Sequence, residues 1–180
     1  MAANLTKSKI IGIIGPIETG DAKLYIDGFV AGVQSVDPSI QILKTYTGSF
    51  SDVALASEAA TTQIAAGADI LTGSAQMVVG AIGKAKEAGI LWFGTQSDQA
   101  SYAPETVVAS QVYHWEVVLR DIIAKRAAGT LGGESFSINL ANKGLGISLN
   151  PKIVLTEEVK TAITATIDGI VSGAITITLP

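Results

Sequence analysis

Cysteine is absent from this chain of 180 residues, which excludes a disulfide scaffold, thiol catalysis and thiolate metal sites. Histidine occurs once, as His114, so there is no imidazole cluster for a metal ion and no second base for a proton relay. Charged residues make up only 16% of the sequence, 12 basic against 16 acidic and spread without blocks, which argues against nucleic acid as a partner. No run of about 18 apolar residues occurs, so no segment is built to span a membrane. Residues Met1 to Lys9 lack the apolar stretch of a secretory leader, and the expectation is of a chain that is cytoplasmic as written. This inventory leads to no expected catalytic residue, metal or cofactor. What remains is apolar: 48% hydrophobic residues and a mean hydropathy of +0.42. That suffices for the core of one domain and is too apolar for intrinsic disorder.

The first half alternates short β-rich runs with helical patterns. Lys9–Ile14 (KIIGII) is a continuous apolar run, as a strand buried on both faces requires. From Asp21 the period becomes helical. Tyr25, Gly28, Phe29, Gly32, Val33 and Val36 share one face, and the two glycines would let that helix lie close to the sheet. Ile40–Tyr46 reads as a second strand. Ser49 is expected to cap a helix from about Ser51 to Ala66, with Asp52 completing a capping box and Gly67 as the stop. Asp69–Thr72 is a third strand. Ala75–Ala88 is a helix with Val78, Val79, Ile82 and Ala85 inside and Gly89 as its stop, and Ile90–Gly94 is a fourth strand. Such alternation predicts an α/β fold, three layers deep, with a mainly parallel sheet.

The second half is less regular. Thr106–Val112 and Glu134–Leu140 read as strands, Glu116–Ala128 as a helix ending at Gly129, and Gly144–Leu149 as a loop or short strand. Thr156 caps a last helix to Ser172, with Glu157 and Glu158 in the first turn where the helix dipole favours acids. Ile175–Leu179 alternates as an edge strand would. Residues 1–8 are expected to be a disordered, tag-like terminus, and 9–180 a single α/β domain. Within it, 9–105 form the core βα units, 106–149 a separate segment, and 150–180 a terminal helix and strand.

Ligands of open parallel sheets bind at the carboxyl ends of the strands. Four loops lie there: Gly15–Gly20 (GPIETG), Thr47–Asp52 (TGSFSD), Gly73–Gln76 (GSAQ) and Thr95–Gln99 (TQSDQ). Each leads toward a helix N-terminus and can present free amides. Loops before helices carry such residues as caps in any case, but four polar, weakly charged loops on one edge together suit a neutral polar ligand. The spacing of Gly12, Gly15 and Gly20 does not match the dinucleotide fingerprint, no Walker motif is present, and a phosphoacceptor's paired acids are missing. A hydrolase built on His114 and Asp98 lacks a nucleophile elbow.

Aromatic residues number ten, of which seven fall between Tyr46 and Trp115. Faces of such rings stack flat ligands, and their polar edges orient them. The candidate ligand-binding residues are Phe50, Ser74, Gln76, Gln96, Asp98, Tyr113 and Trp115. Trp115 or Phe50 would stack, while Gln96 and Asp98 would orient. Tyr113 and Trp115 can equally be packing residues at a helix start, and Asp98 a cap.

Three stretches carry a resemblance: KIIGIIGPIETGDAKLYIDGFVAGVQSVDPSIQI, TYTGSFSDVALASEAATTQIAAGADILTG and AIGKAKEAGILWFGTQSDQ, with the tail GLGISLNPKIVLTEEVKTAITATIDGIVSGAITITLP. Together they resemble the basic membrane protein family of ABC-transporter substrate-binding proteins, some of which bind purine nucleosides. The G-S-F-S-D and S-D-Q loops are its most specific pieces. The resemblance implies a periplasmic-binding-protein type I lobe and a non-catalytic role in small-molecule capture. It also implies a membrane permease as partner and an extracytoplasmic setting for the parent family. Nucleoside-binding members usually carry an aspartate where Gln96 stands and a lysine where Tyr113 stands, the pair expected to hold ribose. Their replacement here favours a flat base over the sugar, and the expected ligand is a nucleobase, nucleoside or similar flat heterocycle. In family members 106–149 would pack on a first lobe. With that cover missing, the segment is expected to make a homo-oligomer. The alternative function is a self-association module of the same fold that has lost ligand binding.

Overall fold

A computed structural model describes residues 1–179. Six strands form one sheet in the order β2-β1-β3-β4-β5-β6. They are β1 (Ile10–Gly15), β2 (Gln41–Tyr46), β3 (Ile70–Gly73), β4 (Leu91–Gly94), β5 (Val107–Tyr113) and β6 (Leu145–Leu149). The first five run parallel, and β6 pairs antiparallel with β5 in the register Ala109 to Leu149. Helices cover both faces, as the apolar β1 and β3 demand: every residue of β3, and all of β1 after Ile10, is buried. On one face α3 (Val53–Ala65) and α4 (Val78–Ala88) bring Ala56, Ala60, Ala81, Ile82 and Ala85 onto Leu71 and Trp92. On the other, α2 (Gly20–Gln34) and α6 (Glu157–Ser172) bring Val33 and Val159 onto Ile11, Ile70 and Phe93. The α/β, three-layer, mainly parallel architecture is as the alternation predicted. Among the described residues no helix is long and apolar enough to cross a membrane.

Several local readings are corrected. Residues 1–8 are not a loose tail. Ala2–Leu5 form a short helix, α1, whose Ala2 is buried in the α2–α6 layer. Asp69 anchors the three residues after it, accepting from the Thr6 hydroxyl at 2.6 Å and from the Lys7 and Ser8 amides at 2.6 and 2.9 Å. Burial pushes the Asp69 carboxyl up, but these donors outweigh it and hold it below its ordinary value. Its folded value being depressed, the stabilisation is present above the unfolded carboxylate range and is lost as pH falls below about 4. Asp69→Asn is therefore expected to melt lower than the parent near neutrality, with the two melting curves converging in acid. A constant gap from neutral to acid pH would refute the anchoring role.

Helix α2 turns Tyr25, Phe29 and Val33 of the expected stripe toward the sheet, but not the glycines or Val36. Ile26 and Val33 are buried, Val36 is exposed, and nothing lies within 4 Å of a Cβ built on Gly28 or Gly32. Branched side chains bury more apolar area than glycine, so they set the rotation of the helix. Asp52, not Ser49, caps α3, accepting from the amides of Ala54 and Leu55; Ser49 Oγ accepts from the Ser51 and Asp52 amides one turn earlier. In α4, Val78, Ile82 and Ala85 are buried as expected, but Val79 is exposed.

Two expected strands do not form. Glu134–Leu140 runs as irregular chain ending in an Asn139–Asn142 turn, in which each asparagine amide N–H meets the other's side-chain oxygen. An alternating sequence needs an edge to pair with, and β6 already occupies that of β5. Residues 175–179 are likewise not a strand. The chain reverses at Gly173 (φ +78°), and Ile175 folds back on α6, its amide on the Gly169 carbonyl at 2.9 Å. Helix α5 (Glu116–Ala127) forms as read but has no buried residue.

Candidate functional site: a cleft at the carboxyl edge of the sheet

The strand order reverses between β1 and β3: the chain leaves β1 toward β2 on one side and returns to β3 on the other. The loops after these two strands therefore diverge, leaving a crevice where open α/β sheets take their ligands. A cavity of about 490 Å³ lies there, within the range of small-molecule sites. The loop after β1 supplies Pro16 and Ile17, the start of α2 supplies Asp21 and Tyr25, and the loop after β2 supplies Phe50. Ser74 and Ala75 follow β3, Gln96 follows β4, and Tyr113 and Trp115 close the end of β5.

Of the seven residues expected to bind ligand, five line this cavity: Phe50, Ser74, Gln96, Tyr113 and Trp115. Gln76 and Asp98 do not. Gln76 is exposed outside it. Asp98 is engaged elsewhere, accepting from the Ala100 amide at 2.9 Å and from the Ser148 hydroxyl of β6 at 2.8 Å. Its neighbour Gln99 is buried, accepting from the Trp92 indole N–H at 2.8 Å and donating to the Thr95 carbonyl at 3.1 Å. The S-D-Q loop thus fastens the β4–β5 crossover and β6. Its polarity is spent on the fold, which the sequence could not reveal because both partners of Asp98 and Gln99 are set by tertiary contact. His114 lies outside the lining, its Nδ1 3.4 Å from the Glu116 carboxylate.

Asp21 and Tyr25 join the lining without having been expected there. Asp21 is the single charged side chain in the lining, and its place as the first-turn acid beside the Gly15–Gly20 loop is the signal that points to it. Tyr25 reads in sequence as part of the helix's inner stripe. Its hydroxyl meets Thr72 Oγ1 at 2.6 Å, and Thr72 in turn donates to the Phe93 carbonyl at 2.8 Å. The phenol must then be the donor. Burial pushes its pKa well above the ordinary tyrosine value, so it stays neutral.

Three features distinguish this cleft from a simple gap between loops. Ser74 is 4% exposed, and its Oγ is buried without a hydrogen-bond partner, a state that costs about 1–3 kcal/mol unless something fills the need. Ala75 and Gln96 both hold positive φ, at +75° and +74°; in residues other than glycine this conformation is uncommon and stores strain. Helices α2 and α5 begin at the cavity, with Gly20 and Trp115 in its lining, and neither has a side-chain cap, whereas α3 and α6 are capped by Asp52 and Thr156. The leading amides of α2 are available to an acceptor. Around them stand four aromatic rings, of which Tyr113 and Trp115 meet edge to face at 5.8 Å between centroids. The chemistry on offer is stacking, hydrogen bonding and one carboxylate. Among the described residues no group of acids and histidine could hold a metal ion.

Comparison with known proteins agrees with this architecture. Solved structures of similar fold include a transcriptional activator of the comK gene from Bacillus halodurans (TM-score 0.84, 19% identity, 99% of this chain and 61% of that one). Another is an ABC transporter solute-binding protein from Conexibacter woesei (TM-score 0.80, 18% identity, 99% and 60%). In sequence, the chain is 30% identical over 195 aligned positions to a nucleoside-binding protein of an ABC transporter from Lactococcus lactis, covering 98% of this chain and 55% of the relative. It is 31% identical over 140 residues to a purine-binding protein of Brucella abortus, covering 78% and 39%. The chain spans about half the length of the curated relatives it matches. The profile of one family, described as ABC transporter substrate-binding protein PnrA-like, matches residues 1–177. With nearly every residue inside that match, and with the fold of its solute-binding neighbours, this chain belongs to the PnrA-like family of ABC-transporter substrate-binding proteins.

Proposed function

We propose that this chain is a solute-binding lobe that captures a neutral, flat heterocycle, a nucleobase in the first instance, without chemically changing it. The partner would be the membrane permease of an ABC importer, in an extracytoplasmic setting. The observation that carries the reading is Ser74: a buried, partnerless hydroxyl in the wall of a cavity lined by Tyr25, Phe50, Tyr113 and Trp115. An aromatic wall supplies a stacking face, while the hydroxyl and the leading amides of α2 supply in-plane partners. One acid and no cation in the lining disfavour a phosphorylated ligand. Gln96 and Tyr113, at the two positions where the family resemblance implies an acid and a lysine for ribose, favour the base over the nucleoside. The purine-binding and nucleoside-binding functions in the names of two relatives support the same class.

Calorimetric titration with adenine, guanine, hypoxanthine, their nucleosides and a mononucleotide tests this. A free base is expected to bind, its nucleoside more weakly, and the mononucleotide not at all. Trp115→Ala is expected to cost about 1 kcal/mol, roughly a fivefold loss of affinity. Ser74→Ala is expected to cost a similar amount. Absence of binding by every base and nucleoside at millimolar concentration would overturn the proposal, as would affinity unchanged in both variants.

A further inference from the structure

Along α2 the cleft meets polar groups of fixed polarity, in chain order. The first bond within the helix runs from the Lys23 amide to the Thr19 carbonyl at 3.3 Å, so the amides of Gly20, Asp21 and Ala22 precede it, and they can only donate. The Asp21 carboxylate comes next and can only accept. Four positions on, one turn along the same face, stands Tyr25. All four residues line the cavity. The phenol has one proton, and it is committed. It goes to Thr72 Oγ1 at 2.6 Å, because Thr72 gives its own to the Phe93 carbonyl at 2.8 Å. Thr72 has no exposed surface, so this polarity is set inside the domain, whatever stands across the cleft. Any bond from Tyr25 Oη to a ligand is one in which the phenol accepts. The wall therefore reads donor, acceptor, acceptor. An independent sign that polar ligand atoms belong here is Ser74 in the same lining, 4% exposed and with its Oγ buried and unpartnered.

We infer that the α2 wall selects a flat heterocycle whose edge carries an oxo group, a ring N–H and an amino group side by side, the 2-amino-4-oxopyrimidine edge common to guanine and the pterins. This rests on the reading of the cleft as a heterocycle site and makes its ligand class narrower. The oxo group accepts from the leading amides of α2. The ring N–H and one amino hydrogen both donate to Asp21, as two parallel donors do to a carboxylate. The second amino hydrogen is left for Tyr25 Oη. Adenine fits this wall badly: its ring nitrogen turns a lone pair toward the carboxylate, and its amino group meets the amides. Hypoxanthine keeps the oxo group and the ring N–H but has no amino group. Xanthine places a second oxo group against the two acceptors. Like set against like leaves both groups unpaired, and such mismatches discriminate more strongly than differences in apolar contact.

Equilibrium dialysis of the 180-residue chain against guanine, pterin, hypoxanthine, xanthine and adenine tests it. Guanine or pterin is expected to bind about tenfold tighter than hypoxanthine, with adenine and xanthine weaker still. Whichever of the first two binds tighter identifies the source of the edge. Asp21→Asn replaces one acceptor by a donor and is expected to narrow the preference for guanine or pterin over adenine about tenfold. Tyr25→Phe is expected to narrow the preference for guanine over hypoxanthine about threefold. Ratios are the readout because a loss of fold weakens every ligand alike. Asp21 is exposed, and far-ultraviolet circular dichroism should show its variant folded. Adenine binding as tightly as guanine and pterin, or ratios unchanged in Asp21→Asn, would overturn the inference and leave the heterocycle reading in place. Absence of binding by all five would overturn the inference and, where the nucleosides fail as well, that reading with it.

Discussion

Trp92→Ala is expected to lower the unfolding free energy by about 3–5 kcal/mol, a large fraction of the 5–15 kcal/mol typical of a domain. Trp92 lies within β4 with no exposed surface, packed in the layer beneath α4 with Leu71, Met77 and Val78. Its ring edge also fills the space over Gly73, where a Cβ would stand 3.3 Å from the indole. Truncation opens a cavity at the middle of the sheet and removes the donor to Gln99, leaving a buried carboxamide oxygen unpaired. The Gln99 bond to the Thr95 carbonyl loses its fixed geometry at the same time, loosening the loop that carries Gln96 into the cleft. Thermal melting should fall by about 6–20 °C on the usual scaling for a domain of this size. Trp92→Phe, which keeps most of the volume but not the N–H, should lose less. A drop below about 1 kcal/mol for Trp92→Ala would mean that the core closes over the void and that this layer does not depend on the indole.

The second large effect is steric. Gly80→Leu is expected to cost about 3 kcal/mol or more, because α3 and α4 touch through that glycine. A Cβ there would lie 2.3 Å from the Val53 carbonyl oxygen and 2.5 Å from Ser57 Oγ. The first of these is backbone and cannot rotate aside, so α3 must move as a body. The start of α3 lies just beyond Phe50, whose carbonyl accepts from the Met77 amide at 3.1 Å. Displacement would therefore reach the cleft as well as the core. Gly83, one turn further along the same helix, has nothing within 4 Å of its Cβ position and an ordinary φ. Gly83→Ala should instead stabilise by about 0.4–1 kcal/mol by restricting the unfolded chain. Chemical denaturation of the two variants checks both signs, and equal effects would refute the close-contact argument.

Local pattern alone dictates the layered plan. Apolar runs such as KIIGII can be satisfied only in a strand covered on both faces, and their alternation with helical periods leaves a parallel sheet as the solution. Helix stops are legible for the same local reason: Gly67, Gly89 and Gly129 hold positive φ, which glycine adopts without strain. The general location of the cleft follows from the strand-end loops, and Phe50, Ser74, Gln96, Tyr113 and Trp115 are legible there from loop polarity and the clustering of aromatic residues. Features that depend on partners distant in the chain are fixed only by packing. The rotation of α2 is set by the larger residues it can bury, and the fate of Glu134–Leu140 by whether an unpaired sheet edge remains. Asp98 and Gln99 are indistinguishable from ligand-binding residues in sequence, because a loop's polarity does not say whether its hydrogen bonds go inward or outward. Ser148, fifty positions from Asp98, and Trp92 settle that question. Asp21 and Tyr25 enter the cleft only when α2 is laid against β1 and β3, a placement fixed by strand order and not by any local pattern.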